Sequence, residues 1–135
     1  MQHTDHIVLL VEDDADDVLL MRDAFAGKTN VKLVHEKNGY EALSYLKELK
    51  AKTALLPCLI IMDINMPKLN GKQLVSILKN DNDFQSIPMI VFTTSSNNSD
   101  KEFCSSFNVP MITKPFDMNS FGETAGLFLS YCQAG

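Results

Sequence analysis

Five short apolar runs alternate along the chain with segments of helical periodicity, and this alternation restricts the fold more than any other feature. Each run is apolar throughout instead of alternating with polar residues, which is typical of strands buried on both faces of a parallel sheet. Parallel neighbours need a crossover between them, and a helix is the usual crossover. The predicted strands are Ile7–Val11, Val31–His35, Cys58–Met62, Pro88–Phe92 and Pro110–Thr113.

The segments between these runs carry apolar residues at helical spacing. Asn38 with Glu41, and Asn70 with Gln73, resemble capping boxes and predict two helix starts. A fourth helix is predicted at about residues 98–107 and a fifth from about Met118, so that five strands alternate with five helices. This order predicts a right-handed, doubly wound α/β sandwich. The predicted buried faces are Val18, Met21 and Phe25; Ala42, Tyr45, Leu46 and Leu49; Leu74, Ile77 and Leu78; and Phe121, Ala125 and Phe128.

Length and charge narrow the class of protein. With 135 residues we expect one domain over residues 1–135, with its core at about residues 6–131 and no output domain. The net charge of -5 argues against binding to nucleic acid, because a phosphate backbone requires a basic face. The first apolar run is too short for a signal peptide or a membrane span. We therefore expect a cytoplasmic protein that contacts no membrane.

The three cysteines, Cys58, Cys104 and Cys132, are scattered and show no Cys-x-x-Cys spacing. An odd number at such spacing predicts neither a disulfide framework nor a zinc site. We expect three reduced thiols.

Polar residues follow four of the predicted strands. Glu12 and Asp13 come after the first, Asp63 after the third, Thr93 after the fourth and Lys114 after the fifth. Taken singly, an acid here could cap a helix, a threonine could end a strand and a lysine could be solvated. Ligands in doubly wound sheets bind beyond the carboxyl ends of the strands. Because all of these polar residues lie at that end, together they predict one functional site.

The acidic residues predict a cation at this site. Carboxylates about 4 Å apart repel by roughly 4 kcal/mol at an effective dielectric of about 20, so the group must hold a proton or bind a cation. Oxygen ligands favour Mg²⁺, and none of His3, His6 and His35 has the spacing of a zinc ligand set. An ionised Asp63 could then attack phosphorus, with Lys114 and Thr93 neutralising the phosphoryl oxygens.

The chain resembles the receiver domains of bacterial two-component response regulators over nearly its whole length. The resemblance rests on the acidic residues in Leu9–Asp14, on Asp63 in Met62–Pro67, on Gly71, on Thr93, and on Lys114–Pro115. It implies a stand-alone, flavodoxin-like (βα)5 domain with strand order 2-1-3-4-5.

The resemblance also implies the roles of the site residues. Asp63 would be the phosphoacceptor, with Lys114 and Thr93 assisting. The metal ligands would be Glu12 (largely through water), Asp13, Asp63 and the main-chain carbonyl of Asn65, holding Mg²⁺ with Mn²⁺ as a substitute. Such a domain is not an enzyme, although it assists its own aspartyl phosphorylation and dephosphorylation.

One family feature and two departures from the family pattern concern the surroundings of the site. The resemblance implies a cis bond between Lys114 and Pro115. Two positions depart from the usual pattern: Met111 replaces an aromatic residue three before the lysine, and Thr94 replaces a common alanine. Both departures concern how phosphorylation would change the partner-binding surface, and neither concerns the phosphorylation chemistry.

The implied partners are a histidine kinase or phosphotransfer protein and a downstream protein target. The face formed by the fourth helix, the fifth strand and the fifth helix would bind the target or a second copy of the chain. Its candidate contacts are Phe103, Phe107, Leu127 and Tyr131.

Three other functions fit parts of the pattern. A degenerate receiver would serve as a phosphorylation-independent interaction module. A phosphohydrolase of the haloacid dehalogenase type would need an acid where Asn65 stands. A flavodoxin-like cofactor binder would need a phosphate loop after the first strand, where Glu12 and Asp13 would instead repel a phosphate.

Overall fold

The computed structural model describes residues 6–28 and 30–133, and of Met118 and Gln133 the backbone alone. Strands and helices alternate throughout, as the sequence predicts. The strands are β1 (His6–Val11), β2 (Val31–Glu36), β3 (Leu59–Met62), β4 (Met89–Thr93) and β5 (Met111–Thr113). The helices are α1 (Ala15–Phe25), α2 (Gly39–Ala51), α3 (Gly71–Lys79), α4 (Asn98–Ser106) and α5 (Met118–Gln133).

The strands form one parallel sheet in the order β2-β1-β3-β4-β5, which confirms the order implied by the resemblance. Val11 lies opposite Met62, and Thr93 lies opposite Thr113. Met62 lies opposite Val91, so β1 and β3 end together while β4 and β5 run two residues further toward the same edge. This register makes the residues that follow them neighbours at one edge of the sheet.

Alternate residues of the central strands feed two separate cores. Leu9 of β1 joins the core beneath α2, α3 and α4, whereas Leu10 joins the core beneath α1 and α5. Both leucines are almost completely buried, and each such side chain contributes about 1.5–3 kcal/mol on burial. The helices thus cover both faces, which explains why the central strands are apolar throughout. The edge strands β2 and β5 are only partly buried.

Most of the predicted helical faces are correct. Asn70 forms a full capping box with Gln73, and Asn38 caps α2 by accepting from the Glu41 N–H at 2.9 Å. Ile77 is the exception, because it is 40% exposed while Val75 is buried in its place. The apolar face of α3 is therefore formed by residues 74, 75 and 78, which pack into the core against the sheet.

Prolines explain small differences at two strand ends. Pro88 and Pro110 have no N–H to donate and lie outside β4 and β5. Their carbonyls nevertheless continue the ladder, accepting from Ile60 and Val91 at 2.9 Å each. Thr93 is the last residue of β4, so the sheet holds its backbone in place and its side chain is buried.

A disulfide joins Cys58 to Cys132, so the prediction of three reduced thiols is wrong for these two residues. Their Cα atoms lie 5.0 Å apart although 74 residues separate them in sequence. Helix α5 returns across the sheet and brings Cys132 to the amino end of β3, a proximity that linear spacing does not encode. Cys104 is a free, buried thiol.

Within the described ranges, no helix has both the length and the apolar character needed to cross a membrane.

Candidate functional site

The residues predicted to form a site follow the carboxyl ends of the strands. The Asp63 N–H donates to the Val11 carbonyl at 3.2 Å, and the Lys114 N–H donates to the Thr93 carbonyl at 2.9 Å. These backbone bonds extend the ladder by one residue beyond β3 and β5. Glu12, Asp63, Thr93 and Lys114 are all buried there, at 2%, 7%, 0% and 6% exposure.

The side chain of Lys114 is the centre of the cluster. Its Nζ lies 2.7 Å from Glu12 Oε1, 2.8 Å from Asp63 Oδ2 and 2.7 Å from Asp17 Oδ2. Burial lowers the pKa of Lys114, but the hydrogen bonds to the three carboxylates raise it by more, and the net shift is upward. The ammonium therefore stays charged at any physiological pH.

Burial has the opposite effect on Glu12. Loss of solvent raises the pKa of its carboxyl group to about 7. The hydrogen bond and charge of Lys114 oppose this rise, while the charge of Asp63 adds to it. Glu12 is held from the other side by His35, whose Nε2 lies 2.7 Å from the Glu12 carbonyl oxygen and must therefore be the protonated ring nitrogen.

Asp63 accepts hydrogen bonds at both carboxylate oxygens. Oδ2 binds Lys114, and Oδ1 accepts from the Asn65 N–H at 3.1 Å. The loop behind it is packed against Gly71, where a Cβ would lie 2.3 Å from the Asp63 carbonyl oxygen. Glycine at 71 is thus a steric requirement of the loop that orients Asp63.

The three acidic residues that follow β1 have different surroundings. Asp14 is the N-cap of α1 and accepts from the Asp16 and Asp17 N–H groups, so helix capping is the role of this acid. Asp13 is exposed and lies outside the hydrogen-bonded cluster. Glu12 alone of the predicted first-strand acids contacts Lys114.

Thr93 is fully buried at the end of β4. Its hydroxyl oxygen accepts from the Ser95 N–H at 3.2 Å, and no hydrogen bond joins it to Asp63 in the described chain. Thr94 is exposed, and Met111 is half-buried against the core beneath α4. The bond between Lys114 and Pro115 is trans, so the expectation of a cis bond is wrong; trans is the intrinsically preferred isomer.

Sequence reasoning missed Asp17. It lies in the first turn of α1, 97 residues before Lys114, and its carboxylate completes the ring of acceptors around the ammonium. The only sequence signal was its position four residues after Asp13, one helical turn beyond the predicted acids.

The donor chemistry fits a hard divalent cation. Glu12 and Asp63 are buried carboxylates that share a single cationic partner, and the exposed Asp13 follows Glu12 in the chain. Oxygen donors of this kind suit Mg²⁺. Across residues 6–28 and 30–133, no group of three or more His, Cys, Asp or Glu side chains is arranged to hold a metal ion. The three carboxylates that converge here surround the Lys114 ammonium instead. His3 lies outside the described residues, and His6 is exposed.

Comparison with known proteins supplies the family. The response regulator receiver domain family matches residues 8–125. Response regulator Rcp1 of Synechocystis sp. is 31% identical over 96 residues, which span 70% of this chain and 65% of Rcp1. The polar-differentiation response regulator DivK of Brucella anthropi is 30% identical over 127 residues, 90% of this chain and 94% of DivK.

Solved structures show the same similarity. The phosphorylated cyanobacterial phytochrome response regulator RcpA has a TM-score of 0.87 at 28% identity, with 97% of this chain and 96% of RcpA covered. The Mn²⁺-bound form of Rcp1 has a TM-score of 0.82 at 26% identity, with 93% and 92% covered. The chain therefore belongs to the response regulator receiver domain family of two-component signalling.

Proposed function

We propose that this receiver domain accepts a phosphoryl group on Asp63 from a histidine kinase or phosphotransfer protein, with the help of Mg²⁺. The observation that carries the proposal is the 2.8 Å contact between Lys114 Nζ and Asp63 Oδ2 at a buried strand end. A fixed cation beside the acceptor is placed to neutralise charge on a transferred phosphoryl group.

The chain's own residues account for the transfer. An Asp63 carboxylate oxygen forms a bond to phosphorus while the bond from phosphorus to the donor imidazole nitrogen breaks, and that nitrogen keeps the electron pair. Lys114 neutralises one phosphoryl oxygen. The Thr93 hydroxyl only accepts at present, from the Ser95 N–H, so its own proton is available to a second oxygen.

The side chains of Glu12, Asp13 and Asp63 and the carbonyl of Asn65 would hold the metal. A divalent cation bound there would neutralise phosphoryl charge and favour the ionised form of Asp63. The Mn²⁺-bound form of Rcp1 supports a divalent cation, with Mn²⁺ as the substitute for Mg²⁺, and the phosphorylated form of RcpA supports an acceptor role.

The output would pass to a downstream protein in the cytoplasm through the face of α4, β5 and α5, which is also the candidate homodimer surface. Leu127 is 50% exposed on this face. Phe103 and Phe107 pack on each other at 5.0 Å between centroids and lie partly buried against the core. Tyr131 is also partly buried against a core, so Leu127 is the better candidate contact.

Incubation with acetyl phosphate and Mg²⁺ tests the proposal. We expect the intact mass to increase by one phosphoryl group that is labile in base. Asp63→Asn should abolish the increase, whereas Asp16→Asn, which changes an exposed aspartate of α1, should retain it. Asp13→Ala should remove most of the Mg²⁺ dependence, because one anionic ligand is lost.

An Asp63→Asn variant that gains the same mass would contradict the assignment of Asp63. A parent chain that gains none under any metal would favour the degenerate receiver, which binds partners without phosphorylation.

A further inference from the structure

The hydrogen bonds of Lys114 are fully used. An ammonium group has three N–H donors, and here each has a carboxylate partner: Glu12, Asp63 and Asp17. A phosphoryl oxygen can bind Lys114 only if one of these partners leaves. The resting arrangement therefore contains a competitor for the position that a phosphoryl oxygen must take.

Exposure identifies which partner leaves. The side chains of Glu12 and Asp63 are 3% and 9% exposed, while that of Asp17 is 22% exposed at the rim of the site. A carboxylate at the rim regains water when it swings out, whereas Glu12 and Asp63 are too buried to regain water and would depend on the metal for a new partner. Asp17 also carries a negative charge next to the position where a phosphoryl group would arrive.

We infer that Asp17 is the resting-state partner of Lys114, which a phosphoryl oxygen displaces, so that Asp17 opposes phosphorylation of this receiver. The inference rests on the proposed function of Asp63. Asp17 is thus a positioning residue: it acts by occupying an N–H donor of Lys114 that a phosphoryl oxygen would take.

Asp16 separates this role from a purely structural one. Both aspartates lie in the first turn of α1, and both of their N–H groups donate to Asp14 Oδ1, at 2.9 and 3.2 Å. Both carboxylates therefore interact alike with the helix dipole. Asp16 is exposed and has no bond to Lys114, so Asp16→Asn is a matched control for Asp17→Asn.

The first measurement is calorimetric titration with beryllofluoride, a phosphoryl mimic, in the presence of Mg²⁺. We expect Asp17→Asn to bind it about three- to tenfold more tightly than the parent, the range for losing one competing hydrogen bond at a partly solvent-exposed position. Asp16→Asn should stay within about twofold of the parent, because only a screened, distant charge is removed. Equal shifts in the two variants, or weaker binding in Asp17→Asn, would overturn the inference.

The second measurement uses the parent protein, so it does not depend on a variant folding. The ¹³C resonance of the Asp17 carboxyl carbon is assigned in the parent itself, through its correlations with the side-chain and backbone nuclei of Asp17. On addition of beryllofluoride and Mg²⁺ it should move toward the resonance of the solvated Asp16 carboxyl; a signal that stays in place would show that Asp17 keeps Lys114. A parent that binds no beryllofluoride and forms no Asp63 adduct would instead overturn the proposed function itself, and this inference with it.

Discussion

Glu12 has a pKa raised by burial to about 7, and this makes its charge dependent on pH in the physiological range. A carboxyl group whose pKa is higher in the folded protein contributes stability that is complete below the unfolded value of 4.5 and is lost as the pH rises to 7. The resting site is therefore least stable where Glu12 is fully ionised. A cation that binds this carboxylate would relieve the cost.

Glu12→Gln tests this account by removing the titration. Between about pH 4.5 and 7.5, the difference in the free energy of unfolding should shift in favour of the variant by about 3 kcal/mol, at 1.36 kcal/mol per pKa unit, and should be constant above that range. Urea unfolding of both proteins without metal measures the difference. Mg²⁺ at pH 7.5 should reduce it, because the ion binds the folded parent. A difference that does not change with pH would show that Glu12 titrates normally.

At the scale of elements, a partly buried ion pair joins α3 to α4. Lys72 Nζ lies 2.5 Å from Asp100 Oδ1, and the Ser95 hydroxyl donates to Asp100 Oδ2. The hydrogen bond from Lys72, followed by that from Ser95, lowers the pKa of Asp100. Ser95 also donates its N–H to Thr93, so the pair adjoins the loop that leaves the candidate site.

Lys72→Met should destabilise the protein by about 1–2 kcal/mol, because it leaves the carboxylate of Asp100, 5% exposed, with one partner fewer. The loss should disappear as the pH falls through the lowered pKa of Asp100, where the carboxyl group becomes neutral. Lys50→Met is the control, since the Lys50–Asp83 pair is 55% and 48% exposed, and it should leave the urea midpoint unchanged. Equal effects of the two substitutions would contradict a structural role for the Lys72 pair.

The alternation of strands and helices was predictable because buried parallel strands leave a direct signature in sequence, whereas the strand order came from the family resemblance. Runs that are apolar throughout, such as Leu59–Met62, mark strands covered on both faces, and the residues that follow them must meet at one edge. The contacts of Glu12 and Asp63 with Lys114 follow from that rule. The bond from Asp17 to Lys114 does not, because it depends on how α1 lies against the sheet. The disulfide depends in the same way on the path of α5.

The disulfide closes a long segment of the chain and should stabilise the fold by about 2–4 kcal/mol. Alkylation of the unfolded protein without reductant should modify Cys104 alone, and reduction should release Cys58 and Cys132 as well. Reductant should lower the melting temperature of the parent but not that of the Cys58→Ser, Cys132→Ser double variant. Three reactive thiols without reductant would show that the two cysteines are not joined.

The carboxyl group of Asp63 is the proposed site of phosphorylation, and chemical trapping of that group tests the proposal most directly. Borohydride reduces an acyl phosphate of aspartate to homoserine, so the phosphorylated residue is recorded in the peptide chain itself. After treatment with acetyl phosphate and Mg²⁺, peptide mass spectrometry should find homoserine at position 63 and should find none there when Mg²⁺ is withheld. Homoserine at another aspartate, or at none, would contradict the account.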